Sequence, residues 1–287
     1  MYKKIWYLIC RYILVVLNNN TFDRLIFRIN CLRLGHKYYS PNYINPKTFS
    51  EKIVYLKNQH ENGIGSILAD KVLVREYVSD KIGGKYLINL IGVYEKADVI
   101  KFENLPTQFV IKTNHGSGWN ILVSNKANIN WAAIKEKVNY WLSLNAWYLN
   151  REWQYRNMQP LILIEELLGS NIHDYKVFCF NGIPTFIQVD IDRFIKHTRS
   201  FYNVKWEKQS FGINYPISET EIPKPESLDE MFMLASKLSA ELKFARVDFY
   251  IQNNKIYFGE ITLHPGAGVE PFLSYDQDLM LGQYITI

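Results

Sequence analysis

The residues of this chain that could do chemistry are charged groups set into otherwise apolar strand patterns. The segment Phe244 to Ile251 alternates, so Arg246, Asp248 and Tyr250 share one face while Val247, Phe249 and Ile251 share the other. Lys255 to Thr262 comes after Asn253-Asn254, and the two runs read as a hairpin. With the turn centred on Asn253, Arg246 falls opposite Glu260 and Asp248 becomes a diagonal neighbour of Glu260, roughly 7–8 Å away between backbones. Two carboxylates at that range repel unless a cation lies between them. Mg2+ suits the position, because it is usually held by one or two carboxylates together with substrate phosphates. Asp248 and Glu260 are therefore candidate metal ligands. A plainer reading of the same residues is a surface Arg–Glu pair beside a solvated Asp248.

A second constellation runs from Phe109 through Lys112, His115, Gly116, Ser117 and Gly118 to Trp119. A lysine here ends a strand just before a loop whose glycines can bring backbone N–H groups up to phosphate oxygens. The Gly-Lys-Ser/Thr ending of a P-loop is missing, and the chain returns to a strand rather than a helix. The loop resembles a flap that covers phosphates from above. Its ordinary alternative is a hairpin turn. Lys176, on another strand, can reach the same space, and Glu165-Glu166 at a strand end can meet a ribose or adenine edge. Phosphoryl chemistry needs such positioning and charge neutralisation more than a protein nucleophile.

The elements that must position these groups are readable in outline. Phe109 to Thr113, Ile121 to Val123 and Leu161 to Ile164 read as strands, as does Leu87 to Tyr94. Asn181-Gly182 between Asp174–Phe180 and Ile183–Asp190 is a strong hairpin signal. Thr48 with Glu51 has capping-box spacing for a helix beginning near Ser50, and Ser227 with Glu230 repeats it before a helical stripe from Met231 to Leu242. From Ile67 to Asp80 the apolar residues Leu68, Val72, Val74 and Val78 fit a helix face only in part, with Gly83-Gly84 as a clear stop. Antiparallel hairpins mixed with helices indicate an α+β fold.

At 287 residues and 48% hydrophobic content, the chain is long enough for one large domain or two joined lobes. Its net charge of +5 comes from scattered lysines and arginines, so nucleic acid is not the expected partner. Three cysteines without metal-ligand spacing indicate neither a disulfide framework nor zinc, and fit a reducing cytoplasm. Ile5 to Leu17 is an apolar run behind Lys3 and Lys4, too short to span a bilayer and interrupted by Arg11. It reads either as an amphipathic helix packed on the domain or as a helix lying on the inner membrane surface, with contact through residues 1–35.

Taken in order, Lys112 with its glycine loop, Glu165-Glu166, Lys176, Arg246-Val-Asp248-Phe-Tyr250 and Gly259-Glu260-Ile-Thr262 resemble the ATP-grasp superfamily. Within it the chain is similar to the branch related to the teichuronopeptide biosynthesis protein TupA. Further matching pieces are Asp70-Lys71, Val74-Arg75-Glu76-Tyr77, Asp190 to Arg193, His197 with Phe201-Tyr202, and His264-Pro-Gly-Ala-Gly268. The resemblance runs from about Asn45 to the C-terminus.

It implies an ATP-grasp domain over 45–287, with two α+β subdomains gripping ATP between antiparallel sheets, preceded by a helical segment over 1–44. ATP and Mg2+ are the implied cofactors. Lys112, Lys176 and the flap residues His115, Gly116, Ser117 and Gly118 would bind ATP, and Glu165-Glu166 would begin the nucleotide hinge. Asp248 and Glu260 would hold magnesium, while Arg246 with Lys176 would act on the transferring phosphate. Lys71, Arg75 and Arg193 would lie near the groove, as substrate contacts or as structural ion pairs. Many relatives have asparagine two residues after the second metal carboxylate, where this chain has Thr262, which weakens the case for a third ligand. The implied reaction is ATP-dependent joining of a carboxylate to an amine through an acyl phosphate. Its substrate would belong to a capsule, lipopolysaccharide or teichuronic-type glycan. The cysteines and the N-terminal run place the expected site of action in the cytoplasm, either free or at the inner face of the bacterial plasma membrane. Rival readings are a glycosyltransferase or sugar kinase, and a membrane-peripheral scaffold held by Ile5 to Leu17.

Overall fold

A computed structural model describes residues 2–59, 64–169, 172, 174–191 and 197–287. The cationic N-terminal segment folds as α1 (Tyr2–Tyr12) and α2 (Asn19–Leu34). The Asn18 side chain caps α2 by accepting from Thr21 N–H at 3.0 Å, and Gly35 ends it with φ 69°. No helix among the described residues is long and apolar enough to cross a membrane. Next, α3 (Phe49–Asn58) begins with both bonds of the Thr48/Glu51 capping box in place. Lys57 of α3 makes a buried 2.8 Å ion pair with Asp23 of α2, fastening the N-terminal segment to the body of the protein.

The stretch from Ile67 to Asp80, whose apolar residues fit one helix face only in part, forms two helices, α4 (Ile64–Ala69) and α5 (Val74–Ile82). Asp70 causes the break: its carboxylate accepts from Val72 N–H at 2.8 Å and turns the chain. The remaining helices are α6 (Trp131–Leu142), α7 (Trp147–Asn150), α8 (Leu228–Ser239) and α9 (Tyr275–Gly282). The second capping box does not form, since Ser227 caps nothing and Glu230 accepts the Tyr86 hydroxyl at 2.6 Å. Burial of the stripe through Met231, Leu234, Ala235 and Leu238 holds α8 without it.

The described strands form two antiparallel sheets, giving the expected α+β class. The smaller joins β1 (Leu90–Tyr94), β2 (Phe109–Thr113), β3 (Asn120–Val123) and β4 (Ile162–Glu165) in the order β1-β4-β2-β3. β4 is buried along its whole length, which is why Ile162 to Ile164 are all apolar; its last residue, Glu165, is buried as well but is ion-paired. The larger sheet joins β5 (Asp174–Phe180), β6 (Ile183–Ile191), β7 (Thr198–Asn203), β8 (Phe244–Gln252) and β9 (Lys255–Thr262) in the order β7-β6-β5-β8-β9. Asn181 and Gly182 both have positive φ, 50° and 75°, as the two-residue turn between β5 and β6 requires.

The larger sheet decides where chemistry can occur. One face carries Tyr175, Val177, Val247 and Phe249 into a core with α5 and α8. On the other face, one end carries Phe178, Phe180, Phe186 and Phe244, packed under Phe49 of α3 and Leu281 of α9. Further along the same strands this face turns polar at Asp174, Lys176, Gln188, Asp190 and Asp248, side chains that are buried yet beyond the phenylalanine cluster.

Candidate active site

The pairing of β8 with β9 differs from the expectation in a way that sharpens the site. Asp248 lies directly opposite Glu260, and Arg246 opposite Thr262. The turn is the two-residue pair Asn253-Asn254, with φ 51° and 59°, and a bulge shifts the register between Asp248 and Phe249. Ile256 and Phe258 point into the core, so strict alternation would bury Glu260 there too. The extra residue, Gly259, turns Glu260 to the polar face and returns Ile261 to the core. A Cβ on Gly259 would stand 3.0 Å from the Asp248 carbonyl oxygen and 3.1 Å from the Tyr250 ring, leaving little room for any other residue.

Around this pair the charges interlock. The Asp248 carboxylate accepts from Arg246 Nε at 2.7 Å and Nη2 at 2.8 Å, and from Lys176 Nζ at 2.6 Å. Lys176 stands opposite Asp248 on β5 and also donates to Asp174. Arg246 Nη2 reaches Thr262 Oγ1 at 3.1 Å and Glu260 Oε1 at 3.4 Å. Burial pushes the Asp248 carboxyl up, against the pull of Arg246 and Lys176. Burial would push the Lys176 ammonium down, but Asp248 and Asp174 more than reverse this and keep it charged.

Burial likewise raises Glu260, yet Lys71, Arg246, Lys176 and Lys112 outweigh it and hold the carboxyl down at about 2. A depressed carboxylate stabilises the fold above its unfolded pKa, and that contribution is lost as pH falls through the folded value. Comparing wild type with Glu260→Gln by thermal melting should therefore show a wild-type advantage above about pH 4.5 that disappears towards pH 2. A difference that stayed constant over this window would contradict the assignment.

The other wall comes from the smaller sheet and the turn after α4. Lys71 Nζ donates to the Gly116 carbonyl at 2.9 Å and lies 3.7 Å from Glu260 Oε2, so it ties the glycine loop to the carboxylate pair. The loop is rooted by Asn114, whose side chain donates to Asp70 at 2.8 Å and accepts from Leu161 N–H at 2.7 Å. Lys112 is held by Glu165 at 2.7 Å. Arg75 holds the other Glu165 oxygen at 2.9 Å and the Ile88 carbonyl at 2.7 Å, which makes it a strut between α5 and the smaller sheet.

A cleft of about 560 Å3 separates the two walls, lined by Lys71, Lys112, Gly116, Ser117, Gly118 and Trp119 on one side. Lys176, Arg246, Asp248, Glu260 and Thr262 line the other. Most of the residues singled out from sequence thus converge. Three of the expected nucleotide contacts do not reach the cleft lining. His115 is buried against Asn114 Oδ1 and the Trp141 carbonyl, at 3.2 Å each, and burial lowers its pKa, so it packs at the root of the loop and not in the cleft lining. Glu165 is engaged by Lys112 and Arg75, and Glu166 is exposed, its N–H bonded to Asn89 O at 3.0 Å. Arg193 lies outside the described residues.

The cleft also contains groups that the sequence reading passed over. Asp174 shares the Lys176 face two residues away, a spacing that strand alternation alone would have flagged. Tyr155, Glu152, and Asn30 and Arg33 of α2 come from segments with no local signature of a site. Among the described residues no three His, Cys, Asp or Glu side chains cluster as a metal site. The facing Asp248 and Glu260 instead match the oxygen donors Mg2+ takes from protein when phosphate and water fill its other positions.

Two α+β layers facing across a cleft, with a glycine loop over a carboxylate pair, define an ATP-grasp fold. The chain belongs to the TupA-like ATP-grasp family, whose model matches residues 51–286. No curated protein matches it. Among solved structures it is similar to D-alanine–D-alanine ligase from Bacillus anthracis complexed with ATP, at 16% identity and TM-score 0.45, over 70% of this chain and 56% of that one. It is also similar to phosphoribosylamine–glycine ligase from Thermotoga maritima, at 12% identity and TM-score 0.44, over 78% of this chain and 52% of that one. The ATP-grasp ligase PsnB with Mg and ADP gives 10% identity and TM-score 0.42, over 75% and 58%. The chain spans little more than half the length of these enzymes.

Proposed function

We propose that this chain is an ATP- and Mg2+-dependent carboxylate–amine ligase that modifies a bacterial surface polysaccharide. The observation that carries the proposal is the Asp248–Glu260 pair, set face to face on adjacent strands with Lys176 and Arg246 bonded beside it. Bound in the cleft, Mg2+ and ATP would supply a transferable phosphoryl group and shield its charge. Asp248 and Glu260 would hold the metal and so loosen their bonds to Lys176 and Arg246. Those two cations would then face the phosphate oxygens, where preorganised positive charge stabilises the transferring group. Lys71 and the backbone N–H groups of Gly116 to Gly118 would close over the phosphates and exclude water, the competing acceptor. A substrate carboxylate oxygen aligned with the γ-phosphorus would bond to it as the bond to the bridging oxygen breaks, ADP leaving with the electron pair and an acyl phosphate remaining. An amine attacks its carbonyl carbon, phosphate departs with the bonding electrons, and the amine proton goes to a base or to solvent.

Support for a glycan acceptor is the TupA-like family description together with Asp190, Arg199, Tyr215 and Glu270 in the cleft lining. Such a mixture of acids, guanidinium and phenol suits a hydroxyl-rich sugar acid. Incubation with ATP, Mg2+, uronic acids and amino acids is expected to release ADP and inorganic phosphate with formation of an amide. ADP with a phosphorylated sugar would instead mark a kinase, and a nucleoside diphosphate from a nucleotide sugar a glycosyltransferase. Absence of nucleotide turnover with every carboxylate would refute the ligase reading.

A further inference from the structure

A helix on the surface of a globular protein ordinarily turns its apolar side inward. α1 is apolar on its outer side as well as its inner one. Ile5, Leu8 and Tyr12 recur at helical spacing and are 46%, 44% and 65% exposed, and the chain just beyond adds Ile13 at 63% and Val16 at 81%. The opposite side, with Tyr7 and Cys10, is buried on the protein, and the Tyr7 hydroxyl accepts from Asn145 N–H at 3.0 Å. The flanking cations lie over protein rings, Lys4 Nζ 5.6 Å from the Tyr140 ring centre and Arg11 5.5 Å from that of Tyr148. The helix is thus fixed in place with its apolar stripe facing out.

Charge selects the occupant. Residues 1–50 hold eight lysines and arginines and one acid, Asp23, which is itself buried against Lys57. The rest of the chain is net negative, because the whole carries only +5. Arg24, Arg28, Arg33 and Lys37 are exposed along and after α2, as are Lys3 and Lys4 on α1. Two copies meeting through this face would bring like charges together. An anionic lipid surface takes both the apolar stripe and the surrounding cations.

We propose that α1 and residues 13–16 dock the protein on an anionic membrane leaflet, with Ile5, Leu8, Tyr12, Ile13 and Val16 entering the boundary between headgroups and acyl chains. Asn30 and Arg33 of α2 line the cleft while Arg28 and Leu32 of the same helix are exposed, so the cationic segment also borders the cleft. A docked protein would hold its catalytic groove close to the lipid surface, where a lipid-carried substrate would be presented. The docking itself does not depend on the ligase reading.

The test is sedimentation of the full-length chain with vesicles of phosphatidylglycerol in phosphatidylcholine, against vesicles of phosphatidylcholine alone. Wild type should partition onto the anionic vesicles, less so as salt is raised. The variant Ile5→Ser/Leu8→Ser/Ile13→Ser should bind at least about tenfold more weakly, since each lost side chain removes apolar burial in the interface. Its melting temperature should be unchanged, because these side chains are exposed. Equal binding by the two proteins, or no binding of wild type to anionic vesicles, would overturn the proposal. So would a lipid-free dimer that the same substitutions dissociate.

Discussion

Asp248→Asn is expected to reduce ATP turnover by about 100-fold or more, the scale on which loss of one preorganised charge acts in a phosphoryl-transfer site. The side chain keeps its shape, and its amide oxygen in the place of Oδ2 still accepts from Arg246 Nη2 and Lys176, although the bond from Arg246 Nε is lost. What it loses is the negative charge that a divalent ion would share with Glu260. Binding of ADP without metal should therefore not weaken, and should tighten, because one anion has been removed beside the phosphates while Lys176 and Arg246 remain. Titrating Mg2+ at saturating ATP should show the activity shifted to higher metal concentration or absent. Turnover close to wild type would mean that Asp248 belongs only to a structural ion-pair network.

Lys176→Met should destabilise the fold as well as inactivate it. The ammonium sits between Asp174 and Asp248, both nearly inaccessible to solvent. Without it two buried carboxylates on neighbouring strands face each other with Arg246 as the near cation. Breaking a buried pair by removing one partner typically costs about 3–5 kcal/mol, because the remaining charge is left without compensation. For a chain of this size that corresponds to a fall in Tm on the order of 10 °C. Adding Asp174→Asn to the lysine variant should recover part of the stability, since it deletes one of the two like charges. A double variant no more stable than Lys176→Met would show that the loss comes from packing rather than charge.

Much of the site was legible because its signals are local. Alternation put Arg246 and Asp248 on one face, Asn181-Gly182 and Asn253-Asn254 marked the turns, and a lysine before Gly116-Ser117-Gly118 marked the flap. The Thr48/Glu51 capping box formed because both of its bonds lie within one turn. What escaped depends on distant parts of the chain. Asp248 and Glu260 face each other through the bulge at Gly259, which a glycine inside a strand hints at, but whose register only the packing of Phe258 and Ile261 fixes. The direction of His115 is set by its neighbour Asn114 together with the Trp141 carbonyl at the end of α6, and the latter contact is not foretold by the residues around His115. Arg75 reads from sequence as either a substrate contact or a structural ion pair, and the choice waits on β4, which brings Glu165 beside it. Strand β7, with Arg199 and Ser200 buried in its course, carries too few apolar residues for its alternation to stand out.

The most direct test is calorimetric titration of ADP into the full-length protein with and without Mg2+. Mg2+ should strengthen binding in the wild type, and the gain should vanish in both Asp248→Asn and Glu260→Gln. Nucleotide binding that ignores Mg2+, or a metal-dependent gain that survives in either variant, would contradict the claim that these two carboxylates hold the ion.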